Sequence, residues 1–205
     1  MAEPSLRPFA LVLATIFAVV AVLLPLVPSD FRLWNYAAFG AVGLFAAARI
    51  GRFGLVAALL LGLGAKLASD LLNYVQHGYD ADYLPFTALV YGAAVYLGLA
   101  LYAVLGLLLL RKSESPARIG ATALTGGVCF FLLTNFASWI HLPMYPKTFA
   151  GLLEAYGQGL PFIRGTLLSD VLFTGVLFGL NAILERATTP QYAAIPVEDT
   201  FGAKR

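Results

Sequence analysis

Cysteine is almost absent from this 205-residue chain. Its one cysteine, Cys129, lies in the apolar run GGVCFFLL, which excludes a disulfide framework and a thiolate metal site. Histidine is nearly as scarce, with two residues, and charged side chains make up only 12% of the chain. The formal net charge of +2 is too small for the electrostatic footprint of a nucleic-acid-binding protein. No Walker loop, nucleophile elbow or HExxH helix occurs, so the chain is not expected to be an enzyme or to need a cofactor.

What remains is hydrophobic: 60% of the residues are apolar or aromatic, and the mean hydropathy is +0.83. A soluble domain of this size has no use for so much apolar surface, whereas a polytopic membrane protein does. A span needs about 20 predominantly apolar residues. The sequence divides into helices at roughly 7–27, 35–49, 53–75, 86–110, 118–139 and 166–185. The expected fold is therefore all-α, with six transmembrane helices forming one domain over residues 1–186.

The first run, FALVLATIFAVVAVLLPLV, is longer than a signal-peptide core and no small-residue cleavage site follows it, so it reads as a retained span. The second is short and is expected to tilt or to lie partly in the interface. Pro85 and Pro116 mark helix entries. The aromatic, Pro- and Gly-punctuated stretch from Thr134 to Gly165 is too polar to span. It predicts an outer loop over 140–165 with a short interfacial or re-entrant helix around 148–158. Residues 187–205 carry too few apolar side chains to pack alone and read as a polar cytoplasmic tail.

Basic residues orient the chain. With both termini inside, Arg7, Arg49, Arg52, Arg111, Lys112, Arg118, Arg186, Lys204 and Arg205 are cytoplasmic, against Arg32, Lys147 and Arg164 outside. That bias of nine to three predicts that both termini lie in the cytoplasm.

Two apolar segments each hold a Ser-Asp pair: AKLASDLLN, with Ser69-Asp70, and TLLSDVLF, with Ser169-Asp170. They fall on the third and sixth helices, which suggests a 3+3 inverted repeat. Lys66, Asp70, Asn73 and His77 share one helical face, and Thr166, Asp170, Thr174 and Asn181 share another. Ionisable groups at membrane depth are costly, so they face the bundle interior or a wet cavity and take partners. Asp70 and Asp170 read equally as structural ties and as ligand contacts, and Lys66 is placed to pair with Asp70 across one turn.

Near the outer face, Asn135, Trp139, His141 and Tyr145 offer an amide, an indole, an imidazole and a phenol for a small polar or aromatic solute. Trp34 and Asn35 present a similar group before the second helix. An aromatic belt at the headgroups is the plainer reading for Trp139 alone. A metal centre from His77, Asp80, Asp82 and His141 lacks any ligand-spacing motif and is not expected. Ala10, Ala14 and Ala18, at intervals of four, make a small-residue face suited either to packing within the bundle or to a partner subunit.

The segment FFLLTNFASWIHLPMYPKTFAGLLEAYGQGLPFIRGTLLSDVLFTGVLFG, Phe130–Gly179, resembles a bacterial domain-of-unknown-function family described as six-helix transport proteins. Its pattern reads approximately FFL-TNF--W, YP-T--GL---Y, PFF-NTL-GDL and LFG. This chain supplies Thr134, Asn135, Phe136, Trp139, Tyr145, Pro146, Thr148, Tyr156, Pro161, Phe162 and Asp170. LASDLLNYVQHGYD and WNYAAFGAVGLFAA are similar to two further stretches of the family. Ser169 departs from a family glycine, and Lys66 stands where a neutral residue is usual.

The family distantly resembles the S components of energy-coupling-factor vitamin transporters. That resemblance implies a solute pocket near the outer face, an alanine-rich first helix docked on a transmembrane coupling subunit, and ATPases that supply energy. The expected function is thus a small-solute-binding membrane subunit for uptake, surrounded by lipid and binding no nucleic acid. The alternative is a non-transporting accessory subunit of a larger membrane complex.

Overall fold

In lipid the backbone must satisfy its own hydrogen bonds, and a helix does so within one segment. The computed structural model describes residues 8–24, 27, 37–77, 85–113 and 115–188, the side chains of 77 and 85–88 excepted. Every regular element among them is helical. We label α1 Pro8–Leu23, α2 Phe39–Arg49, and α3 the composite run of Gly51–Phe53, Gly54–Ala58, Leu59–Leu63 and Gly64–His77. The label α4 covers Pro85–Leu105 with its continuation Gly106–Leu110, α5 is Pro116–His141 and α6 is Phe149–Thr188.

Four stretches are long and apolar enough to cross a membrane: Gly51–Gln76, Leu89–Leu110, Pro116–His141 and Phe149–Thr188. Large apolar side chains such as Leu60, Val75, Leu108 and Ile183 point outward from them, as lipid-facing surface does. By length, α1 and α2 fall short: 16 and 11 residues at 1.5 Å per residue rise about 24 and about 16 Å against a hydrocarbon core of about 30 Å.

The short α2 is the axis of the bundle. Every residue from Phe39 to Arg49 is buried, and α1, α3, α4, α5 and α6 all pack on it. Its sequence, FGAVGLFAAAR, explains why: small side chains let neighbouring backbones come close. A Cβ at Gly62 would lie 3.4 Å from Gly43 Cα, and one at Gly106 only 2.1 Å from the Leu44 carbonyl oxygen. Both contacts fall on π-helical turns, Leu59–Leu63 in α3 and Gly106–Leu110 in α4, where the widened helix lies against α2. The α2–α3 turn needs Gly51, whose φ of 73° only glycine adopts without strain.

One open alternative is decided here, and one expectation is corrected. Ala10, Ala14 and Ala18 are buried within the chain, where α1 meets α2, α3 and α6. Close packing inside the bundle uses up that small face, so it offers no surface to a partner subunit. The outer loop expected over 140–165 is also largely helix: α6 runs unbroken for 40 residues through Pro161, and the connection from α5 shrinks to residues 142–148. Gly151, Ala155 and Gly159 form a buried small face on this extension. At Gly159 that face meets α5 so closely that a Cβ would lie 2.2 Å from Asn135 Oδ1. Packing against α5 thus stabilises a helix that local punctuation argues against. Trp34, Asn35, Asp80, Asp82 and the tail 189–205 lie outside the described residues.

Candidate functional site

The two Ser-Asp segments meet at one cavity of about 320 Å³. Lys66, Ser69, Asp70 and Asn73 reach it from α3, Thr166, Ser169 and Asp170 from α6, and Phe39, Leu99, Tyr102 and Phe130 supply the apolar and aromatic wall. Helical spacing had put these polar groups on two faces; packing turns both faces toward the same space.

The two acids are held differently. Asp70 Oδ1 pairs with Lys66 Nζ on the same helix, and its Oδ2 accepts from the Tyr96 hydroxyl at 3.1 Å. The ammonium therefore neutralises this carboxylate, and both its oxygens are engaged. Asp170 is 2% exposed, and its Oδ2 accepts a 2.5 Å hydrogen bond from the Tyr102 hydroxyl. No basic side chain pairs with it among the described residues.

Room for the Tyr102–Asp170 pair comes from missing side chains. A Cβ at Gly127 would lie 2.7 Å from Asp170 Oδ2, and one at Gly126 would lie 2.5 Å from the Tyr102 ring. Beneath the cavity, Thr174 and Asn181 continue the polar face of α6, 1% and 2% exposed. Thr174 Oγ1 and Asn181 Oδ1 have no hydrogen-bond partner among the described residues. Thr122, Thr134 and Thr188 instead each donate to the carbonyl four residues back. A buried hydroxyl without a partner costs stability, so Thr174→Val is expected to raise unfolding stability by about 1 kcal/mol. Thermal unfolding in detergent reads this; a fall would show that water or solute satisfies the hydroxyl.

A second cavity of about 560 Å³ lies between α5 and α6, and Phe130 and Thr166 line both. Asn135, Tyr145, Ser138 and Gln158 line this second space, with Asn135 Nδ2 donating to the Phe131 carbonyl at 2.8 Å. Trp139 and His141 line neither cavity. Trp139 Nε1 donates to the Pro146 carbonyl at 2.9 Å, and His141 Nδ1 lies 2.5 Å from the Ala137 carbonyl oxygen. Lys147 Nζ donates to the carbonyls of Trp139, Leu142 and Tyr145 at 2.5, 2.8 and 3.2 Å. These residues fasten the α5–α6 turn, where a cation suits a helix C-terminus. The expected outer cluster therefore divides into cavity lining, Asn135 and Tyr145, and turn fastening, Trp139 and His141.

Sequence reasoning missed Tyr96, Tyr102 and Phe130. The one available signal was a phenol in each of two apolar stretches, AAVYLG and LALYAVLG, since a buried tyrosine hydroxyl needs a partner. No group of three or more His, Cys, Asp or Glu that could hold a metal occurs among the described residues.

Comparison with curated proteins and with solved structures finds no match. A family model does match, over residues 5–193, so both cavities and every helix described above fall within it. The chain belongs to the family of unknown function DUF6580.

Proposed function

We propose that this protein is a small-solute-binding integral membrane subunit for uptake, seated in the bacterial cytoplasmic membrane with both termini inside. The carrying observation is the convergence of Asp70, Asn73 and Asp170, from helices a hundred residues apart in sequence, on one cavity of about 320 Å³. A volume at the lower end of ligand pockets, walled by aromatics with a few placed polar groups, suits a metabolite-sized solute. In this reading α1 and α2 complete a six-span bundle of two inverted halves, each contributing its Ser-Asp pair.

The protein binds and releases its solute without chemical change, so it is not an enzyme. The larger cavity beside Asn135 is the vestibule, leading past Phe130 and Thr166 to the acids. S-component-like coupling to a transmembrane subunit and ATPases would use a lipid-facing side, because the Ala10/Ala14/Ala18 face is already covered.

Native mass spectrometry of the gently solubilised protein tests the proposal. A bound small molecule is expected on the wild type, lost in Asn73→Trp, whose exposed side chain at the cavity lets a bulky ring block the space without crowding the core. Asn135→Ala is expected to weaken uptake while leaving the protein folded. A stoichiometric assembly with other membrane proteins and no small molecule would favour the accessory-subunit reading instead.

A further inference from the structure

The cavity's charges specify its ligand more narrowly than its size does. Among the described residues, three charged side chains of opposite signs line it: Lys66, Asp70 and Asp170. Lys66 and Asp70 cancel as an ion pair, which leaves Asp170 as the uncompensated group. Its Oδ2 is taken by the Tyr102 hydroxyl, while Oδ1 has no hydrogen-bond partner among the described residues. A carboxylate at this depth is strongly disfavoured without a counter-charge. Among the described residues none supplies one.

The wall around it is aromatic. Tyr102 and Phe130 stand with ring centroids 6.5 Å apart and a 56° tilt, and Phe39 lines the same space. Ring faces beside a carboxylate attract a cation that keeps an organic body. A bare metal ion is poorly served, since hard cations want several oxygen ligands and no acidic cluster of metal-binding size occurs among the described residues.

We propose that the cavity binds a small organic ammonium compound, its charged nitrogen against Asp170 Oδ1 and its carbon skeleton against the wall that Tyr102 and Phe130 form. This rests on the solute-binding reading and names the class of that solute. The Tyr102 hydroxyl orients the carboxylate, and the Lys66–Asp70 pair keeps the mouth of the cavity neutral, so that selection falls on one charge.

Three probes of matched shape separate the terms: 2-phenylethylamine, 2-phenylethanol and 3-phenylpropionate, each titrated by calorimetry into the full chain in lipid nanodiscs. The amine is expected to bind about tenfold or more tighter than the alcohol, as a charge-assisted contact does, and the propionate not to bind. Asp170→Asn should reduce the amine to the alcohol's affinity and leave the alcohol unchanged.

Because that variant risks misfolding, the wild type supplies a second readout. Dicyclohexylcarbodiimide modification of Asp170, followed by peptide mass spectrometry, should be slowed by the amine and not by the alcohol or by sodium ions. The proposal is overturned if the alcohol or propionate binds as tightly as the amine, if sodium protects equally, or if the amine does not bind. Binding of the alcohol or propionate as tight as the amine's, and abolished by Asn73→Trp, would remove only the ammonium specificity. Failure of all three probes, with no small molecule on the native protein, would remove the solute-binding reading as well.

Discussion

Gly106→Ala is expected to cost the purified protein about 3 kcal/mol of unfolding stability, the upper end of ordinary overpacking. Most of the chain is then lost to aggregation during extraction. The added methyl would sit 2.1 Å from the Leu44 carbonyl oxygen, 2.9 Å from its carbon and 3.0 Å from its Cα. These are backbone atoms of a helix buried along its whole length, so no side-chain rotation relieves the clash. Either α4 withdraws from α2, opening the contact that their small residues create, or the π turn at Gly106–Leu110 unwinds. Gly175→Ala is the matched control: its Cβ meets nothing within 4 Å, so helix propensity alone acts and favours alanine by up to about 1 kcal/mol. Equal behaviour of the two variants in thermal or denaturant unfolding would refute the tight α2–α4 contact.

The same contact shows what a sequence reading can and cannot reach. Thr166, Asp170, Thr174 and Asn181 were legible as one inward face because spacing of four and seven on a helix is a purely local property, and all four are buried. The Lys66–Asp70 pair was legible for the same reason. The central place of α2 was not. A hydropathy window measures length and average polarity, and a short Gly- and Ala-rich helix scores as a weak span whether it lies in the interface or at the axis. Only the neighbours' backbones, drawn in by Gly43, Gly54 and Gly106, decide between them.

The helical run through Pro161 was hidden by competing signals. Gly157, Gly159 and Pro161 in succession read as loop chemistry, and the packing that overrides them comes from α5, across the turn. Likewise Tyr102 meets Asp170 from 68 positions away, a pairing that no periodicity encodes. The candidate site was therefore half legible: its acids and Asn73 were named, its aromatic wall was not. Asn135 and Tyr145 were named too, and they line the adjoining space.

Arg49→Leu is expected to destabilise the protein by about 3 kcal/mol, because it breaks the fastening at the end of the bundle opposite the α5–α6 turn. The guanidinium is buried at 7% exposure, donates to the Leu110 carbonyl at 2.9 Å and the Ser113 carbonyl at 2.5 Å, and lies 4.8 Å from the centroid of the Phe178 ring. Hydrogen bonds to a charged donor contribute about 1.5–3 kcal/mol each, and a cation held over a ring adds to them. One side chain thus ties the C-terminal ends of α2 and α4 to α6, the three helices that carry Gly40, Tyr102 and Asp170 to the cavity. Arg49→Lys keeps the charge but not the planar fork that reaches two carbonyls and stacks on a ring, so it should recover less than half of the loss. Unfolding in detergent followed by tryptophan fluorescence measures both variants. If Arg49→Leu unfolds with the wild type, the guanidinium is a bystander, and the glycine contacts around α2 alone must hold the cavity-forming helices in register.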